Sequence, residues 1–503
     1  MMQPRVPMPV PLSRIVERLD AAGLIREAPG VSPRIEGVTA DSRTVTAGDL
    51  FCAWQGFEAD AHAFVADAAA AGAAAALVER PVDVELPQVV VTAGRPAAAL
   101  AADEVMGRPA EDLLLAGVTG TNGKTTTVWI MRHLLGARYS TASLGTVGAV
   151  TEEGVPLPGT ESLTTPGPVG MAGTMRTFVD HGTEAVALEV SSHALDQARV
   201  QALRFDAAVF TNLTRDHLDY HGSFERYRAT KREFVELLRP DGVAVINADE
   251  LAWDGLERRA PRALRYSLAG GRGAADADVV AEEVALSAAG SRFRLRTPRG
   301  DAVVDLPLLG TYNVQNAVAA GAACLGLGFE LEAVLNGLAG APQVPGRLEQ
   351  VIEAPFRVVI DYAHTPDALK RVLTTLRHVA DGRVIVVFGA GGDRDPGKRP
   401  EMGRVASELA DRVVVTSDNP RTEDPAAIID NIVAGIGGEA GGHVERVTDR
   451  VEAIGYALDR AEPGDVVLLA GKGHEVYQVV GTETVALDER QVVRAWQDRE
   501  ALP

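Results

Sequence analysis

The stretch Gly117-Val-Thr-Gly120-Thr-Asn-Gly123-Lys124-Thr125-Thr126 combines residue types that can hold a polyphosphate. Glycines let the backbone approach phosphate oxygens where a Cβ would block them, successive N–H groups at a helix start can surround those oxygens, and a lysine adds positive charge. In that chemistry Gly120, Thr121, Asn122, Gly123, Lys124, Thr125 and Thr126 contact a nucleoside triphosphate, and the Thr125 hydroxyl reaches a magnesium ion. The spacing departs from the usual phosphate-loop pattern, because Val118 stands where a glycine is expected before Gly123. The competing reading is a bare strand-to-helix turn. The apolar run before the loop, the Gly-Lys-Thr triplet and the amphipathic helix after it favour the phosphate site.

Other residues carry chemistry less distinctly. Glu189, closing AVALE, and His217, near the end of VFTNLTRDH, offer oxygen and imidazole ligands for magnesium-assisted transfer, but read alone they serve equally as solvated residues or helix caps. Lys231 in YRATKREF reads by itself as an exposed helix lysine. Asp418-Asn419-Pro420-Arg421 reads by itself as a proline turn closed by surface charge.

The elements that position these residues follow from the hydrophobic pattern. Apolar runs at LLLAGVT, AVALEVSS, AAVFTNLT and VAVINADE are separated by helical stretches, the alternation of a mainly parallel, helix-covered sheet. After the Pro- and Gly-bearing GAPQVPGRLE, a second set of strands is expected at RVVIDYA, RVIVVFGA, RVVVTSDNP and DVVLLAGKG. Before the glycine loop, GDLFCAW and an alanine-rich helix suggest a small α/β domain. Three domains are expected, at residues 1–110, 111–344 and 345–503, with ligands at the carboxyl ends of their strands.

Bulk properties exclude several classes. A chain of 503 residues with 46% hydrophobic and 23% charged residues is globular rather than disordered. Its formal charge of −20 argues against broad nucleic-acid or anionic-membrane binding, which depend on clustered Lys and Arg. Two cysteines, Cys52 and Cys324, form no disulfide framework or zinc pattern and suit a reducing cytoplasm. The proline-broken N-terminus lacks a secretory apolar stretch, and the longest apolar run, AAAAGAAAALV, is too short for a bilayer and fits a buried helix and following strand.

TGTNGKTTT, EVSSHALDQARV, TNLTRDHLDYHGSFERYRATK and DYAHTPDAL, in this order, resemble the Mur ligase family, and with DSRTVTAGDLFCAWQG the resemblance spans essentially the whole chain. It implies a three-domain α/β fold with a central P-loop-type, mainly parallel sheet covered by helices and a C-terminal Rossmann-like domain. It implies ATP-dependent addition of meso-diaminopimelate to UDP-N-acetylmuramoyl-L-alanyl-D-glutamate through an acyl phosphate, in peptidoglycan biosynthesis. The same ligation with L-lysine or L-ornithine is the alternative, and folylpolyglutamate synthesis a more distant one. A cytoplasmic monomer without nucleic-acid partner or membrane segment is expected.

Residue by residue, the resemblance implies catalysis by Lys124, Glu189, His217 and Lys231, with Lys231 carbamylated by carbon dioxide to N6-carboxylysine. Thr125, Glu189, His217 and the modified Lys231 would serve magnesium. Asn313, Asn316, Arg347 and Asp361 would join the ATP contacts. Ser42, Thr164, Thr165, Ser191, Gln197 and Arg199 would bind the UDP-muropeptide, although Leu163 stands where the family usually carries asparagine. Arg394, Asp418, Asn419, Pro420, Arg421, Gly471 and Glu475 would bind the incoming amino acid, Arg421 pairing with a distal carboxylate that lysine and ornithine lack.

Overall fold

Runs of β-branched and aliphatic residues flanked by glycine turns become strands buried on both faces, as sheets covered by helices on each side require. The computed structural model describes residues 8–500 except 57, 58, 153, 155, 158, 159, 161–163 and 438–442; Leu163 therefore lies outside the described residues. The chain forms two compact units, one of Met1–Glu282, Leu295–Ala302 and Gln315–Leu338, the other of Glu283–Arg294, Val303–Val314 and Ala339–Pro503. Among the described residues, no helix is long and apolar enough to cross a membrane.

Besides the short pair Val10–Pro11 and Arg34–Ile35, two larger sheets shape the first unit. A five-stranded sheet runs in the order Ile25–Glu27, Gln88–Val91, Ala75–Val78, Asp49–Cys52, Gly37–Thr39, with the first pair antiparallel and the others parallel. The alanine run is the helix Val65–Ala70 and the buried strand Ala75–Val78, as its composition suggested. Alanine here allows close packing of helix on sheet.

The larger, ten-stranded sheet begins in the order Gly148–Val150, Thr141–Gly145, Ala185–Glu189, Leu114–Thr119, Phe205–Phe210, Leu238–Asn247, Arg262–Leu268. Among these seven strands only the first pair is antiparallel. The strand Leu114–Thr119 is laid first in sequence but lies between Ala185–Glu189 and Phe205–Phe210, so the chain reverses direction across the sheet beside it. Such a switch opens a crevice at the carboxyl ends, where ligands of open α/β sheets bind. A core of Leu115, Leu188, Phe205, Phe210, Phe234 and Trp253, with neighbours, fills one face. Gly117 belongs to this packing rather than to the phosphate loop: a Cβ there would stand 2.6 Å from Phe234 Cζ and 2.8 Å from Phe205 Cε1.

The second unit carries a six-stranded sheet in the order Glu349–Ile352, Arg357–Asp361, Val466–Ala470, Val384–Phe388, Arg412–Val415, Val444–Arg446, parallel except for its first pair. The four strands expected from RVVIDYA, RVIVVFGA, RVVVTSDNP and DVVLLAGKG are all present. Helix Pro366–Val379 starts at Thr365, whose side chain accepts from Ala368 N, with proline in its first turn, the arrangement that satisfies orphan N–H groups at a helix start. It packs with helices Lys398–Leu409 and Pro425–Val433 on one face, while Arg450–Leu458 covers the other.

Candidate active site

In the first unit the carboxyl ends of three neighbouring strands converge. Leu114–Thr119 runs into the glycine loop and helix Lys124–Leu135. Gly120 has φ +150° and Gly123 φ +86°, and a Cβ at Gly120 would lie 1.9 Å from Thr211 Oγ1. Both positions need glycine, which adopts such backbone angles freely. Lys124 Nζ donates to the loop's own carbonyls, Gly120 O at 3.0 Å and Thr121 O at 2.8 Å. Thr125 and Thr126 are buried in the first helical turn, where backbone N–H groups and the helix dipole favour an anion.

The strand end at Phe210 continues into Thr211–Thr214, which pins the loop. Thr121 N donates to Asn212 O at 2.8 Å, Asn122 N to Asn212 Oδ1 at 3.0 Å, and Thr211 Oγ1 to Asn122 O at 2.7 Å. These pinning residues were missed in the sequence reading, although TNLT was in view. Asn316 packs on the other side: Thr127 Oγ1 donates to its Oδ1 at 3.4 Å.

Glu189 ends its strand fully buried, at 1% exposure, which removes surface solvation as its role. It accepts from Thr146 N at 2.8 Å and Thr146 Oγ1 at 3.1 Å. A carboxylate has further lone pairs beyond two such bonds. His217 is half exposed, has φ +51° and precedes the short helix Leu218–His221. Its ring lies edge-on to His193, with centroids 4.9 Å apart. Burial, reinforced by the charges of His217 and His221, lowers His193 to about 4.

Lys231 is not the exposed lysine that its helix position suggests. Ser223 caps helix Phe224–Arg232, its side chain accepting from Arg226 N, and the helix turns Lys231 inward to 1% exposure. Lys231 Nζ donates to Gly120 O at 2.8 Å and lies 5.0 Å from the centre of the Tyr227 ring. Burial first, and then the charge of Lys124, hold its ammonium well below the ordinary lysine value.

A hydrogen-bonded group links Thr165, Ser191, Gln197 and Arg199. Thr165 Oγ1 donates to Glu189 O at 3.0 Å and lies 3.3 Å from the Ser191 hydroxyl. Arg199 Nη1 donates to Thr165 O at 2.7 Å while Nε and Nη2 hold Gln197 Oε1 at 3.1 and 2.8 Å. Thr164 adjoins it, 3.3 Å from Thr146 through their hydroxyls. Ser42 is on another element, the turn Ser42–Thr44 beside the five-stranded sheet.

In the second unit, loops after four parallel strands gather the remaining candidates. Asp418, Asn419 and Pro420 are buried, and Arg421, at φ +50°, donates through Nη1 to Gly392 O at 2.7 Å. Arg394 is exposed on the neighbouring loop. Gly471 and Glu475 follow strand Val466–Ala470, and Asn419 Nδ2 donates to Glu475 Oε2 at 3.0 Å. Arg347 lies 4.6 Å above the Tyr362 ring. Asp361 is buried and accepts from Leu348 N and Ala363 N, both at 2.8 Å; burial pushes its carboxyl up. Asn313 is buried, donating to Leu309 O at 2.8 Å. Lys472 and Arg450, buried beside these loops, were not singled out from sequence.

The first unit thus presents a glycine loop between strand and helix, with a buried carboxylate and a buried lysine beside it. Family models match this chain throughout: the Mur ligase family catalytic domain at residues 34–112, the Mur ligase middle domain at 118–324 and the Mur ligase glutamate ligase domain at 346–473. The chain belongs to the Mur ligase family. A protein of Geobacillus kaustophilus named UDP-N-acetylmuramoyl-L-alanyl-D-glutamate--2,6-diaminopimelate ligase is 45% identical over 474 residues, covering 93% of this chain and 95% of that one. The Geobacter sulfurreducens protein of the same name is 43% identical over 507 residues, covering 95% and 96%. A solved structure of a ligase with that name aligns with TM-score 0.71 and 33% identity over 99% of this chain and 100% of that chain. Folylpolyglutamate synthase of Mycobacterium tuberculosis shares the fold, with TM-score 0.60 and 22% identity over 74% of this chain and 91% of that chain.

Proposed function

We propose that this chain is an ATP-dependent ligase that adds meso-diaminopimelate to UDP-N-acetylmuramoyl-L-alanyl-D-glutamate, acting as a cytoplasmic monomer. The observation that carries this reading is that the glycine loop and Glu189 lie at adjacent strand ends while Lys231, buried on helix Phe224–Arg232, donates to Gly120 O of that loop, in a chain so close to relatives bearing that ligase's name. Residues 1–110 serve the UDP end of the acceptor, 111–344 serve ATP, and 345–503 serve the incoming amino acid.

A carboxylate is a poor electrophile, so the D-glutamyl acceptor first attacks the γ-phosphorus of ATP and ADP departs. The amine nitrogen then attacks the acyl carbon, the C–O bond to phosphate breaks, and the amine sheds a proton. The loop N–H groups of Gly120–Thr126 and Lys124 orient the triphosphate and oppose charge that develops on it. Asn316 supports the loop from beside Gly123. Thr165, Ser191, Gln197 and Arg199 present hydroxyl, amide and guanidinium groups to the UDP-muropeptide, with Thr164 and Ser42 as further contacts. Asn313, Arg347 and Asp361 complete the ATP set.

The donor set suits magnesium. Among the described residues no three His, Cys, Asp or Glu side chains cluster as a metal cage, and magnesium commonly takes one or two protein ligands, waters and substrate phosphates. Thr125, Glu189 and His217 would hold it, and when bound it neutralises phosphate charge. Carbamylation of Lys231 fits its surroundings: burial favours the neutral amine, which attacks the carbon of carbon dioxide, forms an N–C bond and releases a proton. The anion that results replaces repulsion from Lys124 with attraction.

In the second unit Arg421 and Arg394 match a distal carboxylate, and Asp418 and Glu475 a distal ammonium, with Asn419, Pro420 and Gly471 shaping the loops. The test offers purified chain ATP, magnesium, bicarbonate, the UDP-linked dipeptide and equimolar meso-diaminopimelate, L-lysine and L-ornithine, with products read by mass. The diaminopimelate tripeptide is expected to dominate. A dominant lysine or ornithine product overturns the amino-acid assignment, and glutamylation of a folate in place of any tripeptide overturns the acceptor.

A further inference from the structure

Lys472 follows Gly471, whose φ of +115° turns the chain so that the lysine side chain enters the protein, where it is 0% exposed. Its Nζ donates to Glu475 Oε2 at 2.9 Å, Asn419 Oδ1 at 3.0 Å and Asp418 Oδ1 at 3.3 Å, which occupies all three ammonium protons. Asn419 Oδ1 also accepts from Val479 N at 2.9 Å. With two donors facing its oxygen, the Asn419 amide has one orientation, and Nδ2 is directed to Glu475 Oε2 at 3.0 Å.

The surroundings show a built site. Arg450, fully buried and paired with Glu489 at 2.8 Å, donates to Ser417 O at 3.2 Å and Ala470 O at 2.8 Å. Those carbonyls immediately precede Asp418 and Gly471, so this arginine ties the two loops together from beneath. Burial pushes the Asp418 carboxyl up, but the charges of Lys472 and Arg450 outweigh it and hold the group below the ordinary carboxylate value. Without a cation between them, Asp418 and Glu475 would be two anions converging on one point, an arrangement that favours protonation of one.

We propose that Lys472 is a positioning residue for recognition of the incoming amino acid's distal ammonium. Its ammonium gathers Asp418, Asn419 and Glu475 into one cluster, and the balance of two carboxylates against one ammonium leaves a single net negative charge for the distal ammonium of a diamino acid. This rests on the ligase reading and deepens it. The lysine touches no reacting atom. It aims both carboxylates, so its loss acts on recognition of the amino acid and not on ATP or the acceptor.

The experiment compares wild type, Lys472→Met and Lys472→Arg by steady-state kinetics, varying each of the three substrates at pH 6.5, 7.5 and 8.5. In Lys472→Met the KM for meso-diaminopimelate is expected to rise at least about tenfold, as removal of one partner from a buried charge cluster implies. That rise is expected to be larger at pH 6.5 than at pH 8.5, because a carboxylate without its cation takes up a proton. The KM for ATP and for the dipeptide are expected to stay within about twofold of wild type. Lys472→Arg keeps the charge and is expected to show a raised KM with the wild-type pH profile; it carries the test if the methionine variant does not fold. An unchanged KM for the amino acid, or equal loss toward all three substrates without a pH effect, overturns the proposal. Wild type that forms no tripeptide overturns the ligase reading itself.

Discussion

Lys231 Nζ donates to the carbonyl of Gly120 at 2.8 Å, so a lysine 111 residues away in the chain closes the phosphate loop from inside the protein. Among the described residues no carboxylate accepts from that lysine, which donates besides to Thr119 Oγ1 at 3.5 Å. A buried cation beside another cation is costly. The proposed conversion to a carbamate would remove that cost and would supply an anion beside the loop.

Lys231→Arg keeps a cation that cannot be carbamylated, and its kcat is expected to fall at least about 100-fold, the scale of losing a preorganised electrostatic group. Assays with and without bicarbonate check it. Wild type is expected to lose activity in buffer freed of carbon dioxide and regain it on addition, and the arginine variant to respond to neither. A carbon-13 carbamate resonance is expected from wild type in labelled bicarbonate and absent from the variant.

Gly120→Ala places a Cβ 1.9 Å from Thr211 Oγ1 and 3.0 Å from Asn212 O, in a backbone region that alanine disfavours. The loop and its pin cannot both stay in place. A destabilisation of about 1–3 kcal/mol and a raised KM for ATP are expected, measured by urea unfolding and kinetics.

Arg421 sits at φ +50°, so Arg421→Asn removes the guanidinium while keeping a residue that tolerates the left-handed region. The KM for meso-diaminopimelate is expected to rise by roughly 100-fold, the scale on which losing a bidentate carboxylate contact discriminates ligands. L-lysine, without that carboxylate, is expected to be little affected. Competition between the two amino acids measures the ratio.

Cys52 is fully buried in the five-stranded sheet, and burial pushes its thiol from 9.0 up to about 12. A thiol whose folded value is raised keeps its proton after the unfolded chain has lost it. Its contribution is therefore complete below pH 9.0 and is lost as pH rises from there towards about 12. Urea unfolding between pH 8 and 10.5 is expected to show falling stability in wild type and a shallower fall in Cys52→Ala. Native protein is expected to resist thiol reagents at pH 8.

The strands and the phosphate loop were legible because their signals are local. A run such as Leu114–Thr119, a glycine turn and a helix start fall within a few residues of one another, and period and spacing describe them. Glu189 and His217 were legible only as residue types, since burial of one and exposure of the other depend on strands far apart in sequence. Lys231 read alone was misleading, and Lys472 went unremarked, for one physical reason: lysine is seldom buried, and what buries these two is a set of acceptors brought together by folding. The pin formed by Thr211 and Asn212, and the packing that demands Gly117, were hidden likewise. Asp361 was named through the resemblance alone, and only tertiary geometry reveals that its two oxygens also accept backbone amides.

The direct test of the acyl-phosphate ligase follows oxygen. The UDP-linked dipeptide, labelled with oxygen-18 in both oxygens of the D-glutamyl acceptor carboxylate, is turned over with ATP and meso-diaminopimelate, and the phosphate released is analysed by mass. Activation through an acyl phosphate predicts one labelled oxygen in each phosphate and one left in the new amide. Tripeptide formation with unlabelled phosphate would contradict the account.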